Sequence, residues 1–115
     1  MKLLTLEEII EINIEVGEKG TLINRANLAF IISRIEEAKN IDEAASILFY
    51  DIINMHPFLD GNKRTAYVSM KTFMEMNGKH IKLISKEEME KLIYQIANNK
   101  YNLSKVKKLI KEMLI

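Results

Sequence analysis

A chain of 115 residues that is 48% apolar can bury a core of its own, with no staple required. It contains no cysteine, which excludes disulfides, thiolate nucleophiles, iron–sulfur clusters and cysteine zinc sites. Its 17 Lys+Arg against 16 Asp+Glu argue against a protein whose main task is to coat nucleic acid, because neutralising phosphates needs a cationic excess. The missing cysteines fit a reducing compartment, and no apolar run approaches a membrane span. The start Met1-Lys2-Leu3-Leu4 meets Glu7 and Glu8 too soon for a signal peptide. A single cytoplasmic domain over residues 1–115 is therefore expected.

Thr5 followed by Glu8 has capping-box form and predicts a first helix towards Val16. Within it Ile10, Ile12, Ile14 and Val16 alternate with polar residues in a strand period, but the cap and the Glu-rich start favour helix. Gly17, Gly20 and Asn24 bracket Thr21-Leu22-Ile23, one arm of a turn or hairpin. A helix is predicted over Asn27 to Lys39, with Leu28, Ile31, Ile32 and Ile35 on one face. Asp42 is the expected N-cap of the next helix, which carries Ala45, Leu48, Phe49, Ile52 and Ile53. Pro57 disfavours helical backbone at His56 and ends that helix near Met55. The next helix restarts near Gly61 or Asn62 and stops at Asn77-Gly78. Ser85 with Glu88 opens a helix to about Ala97, and Ser104 opens a last one to Leu114. Six helices with at most a short β-hairpin define an all-α fold.

Between the two central helices, His56-Pro57-Phe58-Leu59-Asp60-Gly61-Asn62-Lys63-Arg64 gathers a base, a carboxylate, an amide and two cations in one loop. A loop that becomes a helix at Asp60-Gly61-Asn62 offers unpaired N–H groups and the positive end of the helix dipole to an anion. Gly61 lets a phosphate approach the backbone, and Asn62 can donate from its amide. Arg64 can fork onto two phosphate oxygens; it is one of three arginines in a chain with 14 lysines. Asp60 supplies a hard carboxylate of the kind Mg²⁺ takes, completing its shell with phosphate and water. Histidine is the side-chain type suited to general-base work near neutral pH, which assigns His56 that role. Phosphoryl or nucleotidyl transfer, driven by positioning and charge stabilisation, is the reaction class these residues suggest.

The run HPFLDGNKR resembles the signature of the Fic/Doc family, His-x-Phe-x-Asp/Glu-Gly-Asn-Gly-Arg-x-x-Arg, at His56, Phe58, Asp60, Gly61, Asn62 and Arg64. The helix before the motif and Thr65-Ala66 after it look like the death-on-curing (Doc) branch. The resemblance implies a small helical Fic/Doc domain with His56 as base towards a protein hydroxyl and Asp60 as Mg²⁺ ligand. It further implies Gly61 and Asn62 as an anion hole, Arg64 on the phosphates of ATP, and Phe58 as the loop's anchor. Two departures bear on the reaction. Lys63 stands where AMP-transferring members carry a second glycine, and Tyr67 where they carry a second arginine, as in Doc-type kinases; Gly61, by contrast, is the AMP-transfer form. A lysine beside the phosphates could turn the nucleotide so that its γ-phosphate faces His56, which ranks phosphate transfer ahead of AMP transfer. By the same resemblance the chain is expected to be a toxin restrained by a separate antitoxin protein, with a translation elongation factor as first target to test. A flap before the motif would hold the target's Ser, Thr or Tyr segment extended along Thr21-Leu22-Ile23. The family's inhibitory helix, Ser/Thr-x-x-x-Glu-Gly/Asn, has only the partial match Ser33 to Glu37, and Tyr67 could not form its ion pair.

Plainer readings stand beside these. Asp60 could be an ordinary N-cap with Gly61 and Asn62 as turn formers, but turn chemistry does not also require His56, Phe58 and Arg64. His80 lacks partners for a metal site and reads as a loop or strand residue. Lys105, Lys107, Lys108 and Lys111 lie opposite Val106, Leu109, Ile110, Met113 and Leu114, the pattern of a helix docked on the core. The alternative function is a non-catalytic helical module that binds a protein partner or nucleic acid through that basic helix.

Overall fold

The computed structural model describes residues 1–115. Six helices follow one another: α1 (Leu6–Glu15), α2 (Arg25–Glu36), α3 (Ile41–Met55), α4 (Asn62–Met76), α5 (Lys86–Ala97) and α6 (Leu103–Met113). The helical reading of α1 holds. Thr5 and Glu8 form the reciprocal capping box, and the buried set Ile9, Ile12 and Asn13 has helical spacing, so the alternation of isoleucines is incidental.

Three helix starts differ from the sequence reading for one reason: asparagine caps. Asn24 accepts from the Asn27 N–H, which starts α2 at Arg25 instead of Asn27. Asn40 accepts from the Glu43 N–H, so Asp42 falls inside the first turn of α3 and pairs with Lys79 at 3.0 Å. Asn102 caps α6 ahead of Ser104. In each case the asparagine Oδ1 reaches the N3 amide from extended backbone, the geometry an N-cap requires.

Helix α3 is the axis of the molecule. Residues Ala44 to Phe49 are buried without interruption, and α2, α4, α5 and α6 all pack on it, while α1 lies on α4. Twenty-five apolar residues form one contiguous buried cluster, with Phe49, Phe58 and Phe73 fully enclosed. Val106, Ile110 and Met113 turn α6 onto that core. Its lysines face outward, where Lys107 pairs with Glu43 and Lys105 lies over the Tyr101 ring. No helix is long and apolar enough to cross a membrane.

Strand pairing is confined to two isolated antiparallel bridges, Leu22 with Phe58 and Ile81 with Leu114. The Thr21-Leu22-Ile23 run therefore makes no hairpin with its own neighbours; it pairs with the loop that follows α3. The second bridge lies at His80, an exposed residue whose carbonyl accepts from the Ile115 N–H, in keeping with a role in backbone pairing.

Candidate active site

The loop between α3 and α4 is shaped from both ends. Pro57 disfavours continued right-handed helix at His56, and His56 caps α3 in the left-handed conformation with φ 46° and ψ 60°. The turn leaves its imidazole exposed at the mouth of a cleft. Phe58 then enters the core, fully buried, as the loop's anchor. On one side the loop is stitched to the 21–24 segment. The Leu59 N–H donates to the Thr21 carbonyl at 2.9 Å, and the Ile23 and Asn24 N–H groups donate to the Pro57 carbonyl at 2.9 and 3.2 Å.

On the other side Asn62 closes the loop upon itself. Its Oδ1 accepts from the Phe58 N–H at 2.9 Å and its Nδ2 donates to the Phe58 carbonyl at 2.8 Å. The side chain is buried and both ends of its amide are engaged, so it is not the free donor that the sequence reading assigned to an anion hole. What Asn62 leaves for an anion is its backbone N–H. It is the first residue of α4, and with Lys63 and Arg64 it presents N–H groups that have no intrahelical acceptor. Gly61 is the N-cap at φ 76°, with no side chain to satisfy them.

Glu18 enters this site although sequence reasoning gave it no role. Its Oε1 lies 2.9 Å from Nη2 of Arg64, and its Cγ would be 2.5 Å from a Cβ placed on Gly61. Gly61 is thus needed twice, for its positive φ and for the room that the Glu18 stem takes. Arg64 remains 63% exposed and Glu18 is partly covered, so the pair is a surface one that solvent screens. Asn13, buried on α1, reaches Gly20, Asp60 and Thr65 with one amide. Its signal in the sequence is an asparagine within the Ile9, Ile12, Val16 stripe, where the helical period calls for an apolar residue.

All six predicted site residues, His56, Asp60, Gly61, Asn62, Lys63 and Arg64, line one cleft of about 1110 Å³. One wall comes from α4 with Tyr67 and Lys71, and the opposite wall from Leu83, Met89, Ile93 and Tyr94 on and before α5. Such a volume suits a nucleotide-sized ligand. A second depression of about 890 Å³ between α5 and α6 contains none of the six. The stretch Ser33 to Glu37 lies on α2 and its C-cap and does not line the cleft. Asp60 is exposed and belongs to no cluster of three or more His, Asp or Glu side chains that could hold a metal ion. One carboxylate beside an anion site fits Mg²⁺, an ion that keeps most of its shell in phosphate and water, and would not make a cage for zinc.

The chain's match to known proteins falls on this region. A model of the Fic/DOC family matches residues 3–74, from ahead of α1 to the last turn of α4, which takes in the whole loop and the segment paired with it. No curated protein matches the chain.

Proposed function

The chain belongs to the Fic/DOC family, whose members are typically transferases, and from that premise we propose that it moves a phosphate group from ATP to a protein hydroxyl. The carrying observation is that His56, Asp60, the open N–H groups of α4 and the Lys63–Arg64 pair share one cleft. Each answers a requirement of the transfer: a base for the hydroxyl proton, a ligand for the metal and positive charge for the phosphates.

The step balances without an outside reactant. His56 takes the proton of a Ser, Thr or Tyr hydroxyl as that oxygen forms a bond to the γ-phosphorus. The bond from the γ-phosphorus to the β,γ-bridging oxygen breaks, and ADP leaves with that electron pair. Lys63, Arg64 and the α4 N–H groups hold the phosphate oxygens as charge moves between them. Asp60 would hold Mg²⁺, which when bound offsets phosphate charge. The apolar wall of Leu83, Met89, Ile93 and Tyr94 is suited to the purine ring.

AMP transfer uses the same groups with attack at the α-phosphorus and pyrophosphate as leaving group. Lys63 and Tyr67 favour γ-phosphate transfer, because both line the cleft where an AMP-transferring member would carry glycine and arginine. ATP labelled at the α- or the γ-phosphate decides between them. Transfer of γ-label alone, abolished by His56→Ala, is expected; α-label on the target would replace phosphate transfer with AMP transfer.

The target segment would lie along residues 21–23. Thr21 and Ile23 spend the carbonyl and N–H that face the loop, which leaves Leu22, between them, directed to the outer edge where an extended peptide can pair. We assign the chain to the toxin side of a toxin–antitoxin pair in the cytoplasm, with a translation elongation factor as first target and a separate protein as its restraint. Induced expression should arrest growth, and His56→Ala should relieve the arrest. The rival, a non-catalytic binding module, predicts that MgATP leaves the melting temperature unchanged. A rise that Arg64→Ala abolishes is the outcome expected here; saturation at about 100 times Kd corresponds to about 2.7 kcal/mol.

A further inference from the structure

Asn13 is 1% exposed and spends its whole side chain on three segments of the site. Nδ2 donates to the Asp60 carbonyl and to the Thr65 Oγ1, both at 3.0 Å, and Oδ1 accepts from the Gly20 N–H at 2.9 Å. The orientation of the amide is fixed by its partners, since a backbone carbonyl can only accept and a backbone N–H can only donate. One buried side chain thus references the target-side segment, the loop and α4 to the same point.

The contact with Asp60 has a directional consequence. The Asp60–Gly61 unit is a trans peptide, planar, with its C=O and N–H on opposite sides. Holding the carbonyl inward on Asn13 turns the Gly61 N–H outward, and no carbonyl or side chain of the chain accepts from it. Gly61 lines the cleft and adjoins the open amides of Asn62, Lys63 and Arg64. A glycine at this position is otherwise free to rotate its peptide plane, having no Cβ to restrain it.

We propose that Asn13 is a positioning residue for anion binding: by fixing the Asp60–Gly61 peptide it aims the Gly61 N–H at the phosphate as a donor additional to those of α4. It touches no substrate and acts only through that peptide. The inference rests on the reading of the cleft as a phosphate site and extends it to a residue outside the motif.

Amide ¹⁵N–¹H spectra of the full chain titrated with inorganic pyrophosphate test it. In the wild type the Gly61, Lys63 and Arg64 amides should shift together. In Asn13→Ala the Lys63 and Arg64 shifts should persist, the Gly61 shift should vanish and Kd should weaken about tenfold. Thr65→Val removes a bond from the same buried amide without releasing Asp60, and should keep the Gly61 shift with Kd within about threefold. A merely structural role predicts that the two variants behave alike, and a wild-type Gly61 response with unchanged Kd in Asn13→Ala overturns the inference. If Asn13→Ala does not fold, the wild type decides, because a stationary Gly61 amide beside moving Lys63 and Arg64 amides is equally fatal. No shift in any of the three in the wild type would instead overturn the phosphate reading, and the inference with it.

Discussion

Arg64 carries a carboxylate where a phosphate is expected to sit. Glu18 holds the guanidinium at 2.9 Å, so a nucleotide must displace it before the fork can close on phosphate oxygens. An exposed pair contributes about 0.2–1 kcal/mol, which sets the scale of the competition. Glu18→Gln should tighten ATP binding by about two- to fivefold, read by titration calorimetry, whereas equal or weaker binding would show that the carboxylate does not compete. Gly61→Ala tests the same corner through sterics. The new methyl meets the Glu18 stem and demands positive φ from a non-glycine residue, so a loss of about 1–2 kcal/mol in urea unfolding is expected. These two residues also mark where sequence reading stops at this scale. The motif from His56 to Arg64 is contiguous, and its chemistry can be inferred from its letters. Glu18 is 46 positions from Arg64, and no local pattern relates them. Asn62 shows the opposite limit: its type was informative but its role was not, because the amide that could face a ligand is consumed by Phe58.

Helices were legible where their signals are local. The capping box at Thr5, the Ser85 N-cap that accepts from the Glu88 N–H and the stop at Asn77 need only a few adjacent residues, and they mark the elements found. Asp42 misled because its carboxylate is drawn to Lys79, a partner 37 positions away that no cap pattern contains. A similar long-range partner shapes the α2–α3 contact. Asp51 is buried beside Arg34, whose Nε is 2.9 Å away but outside hydrogen-bonding direction. Burial pushes the Asp51 carboxyl above the ordinary aspartate range, and the guanidinium pulls the other way with less effect. A raised native pKa favours the protonated form, so this contribution is fully present below the unfolded value and is lost as pH rises through the native one. Asp51→Asn should therefore compare more favourably with wild type at pH 7 than at pH 3 in urea unfolding. An equal difference at both would deny the burial cost.

The 21–24 segment belongs to the same scale, since its pairing with the loop was not foreseen. Replacing Leu22 with proline removes an N–H that the pairing with Pro57 and Leu59 does not use. Target modification should be lost while ATP-induced stabilisation persists, and unchanged modification would remove this edge from the mechanism.

At the scale of the molecule, the family match ends at residue 74 but the structure does not divide there. Ile96, Val106 and Ile110 are buried in the same core as Phe49 and Phe73, and Met89 and Ile93 wall the cleft. A chain cut after Gly78 should lose cooperative thermal unfolding, because α3 would expose the faces that α5 and α6 cover. A sharp transition near that of the full chain would show that residues 1–78 fold alone. The amphipathic pattern of α6 anticipated its docking on the core, whereas the bridge of Ile81 with Leu114 had no sequence signal, being one residue pair joined across 33 positions.

The amide of Asn62 meets the N–H and C=O of Phe58 as a second backbone would, and so makes Phe58 to Asn62 a ring with a fixed count of members. Within that ring neither the Leu59 nor the Asp60 side chain is spent on closure, which leaves the Asp60 carboxylate exposed at the cleft. Its length is fixed by that closure: one residue added or removed breaks both bonds together and shifts His56 against Arg64, so loop size constrains the active site alongside the letters at His56, Asp60 and Gly61.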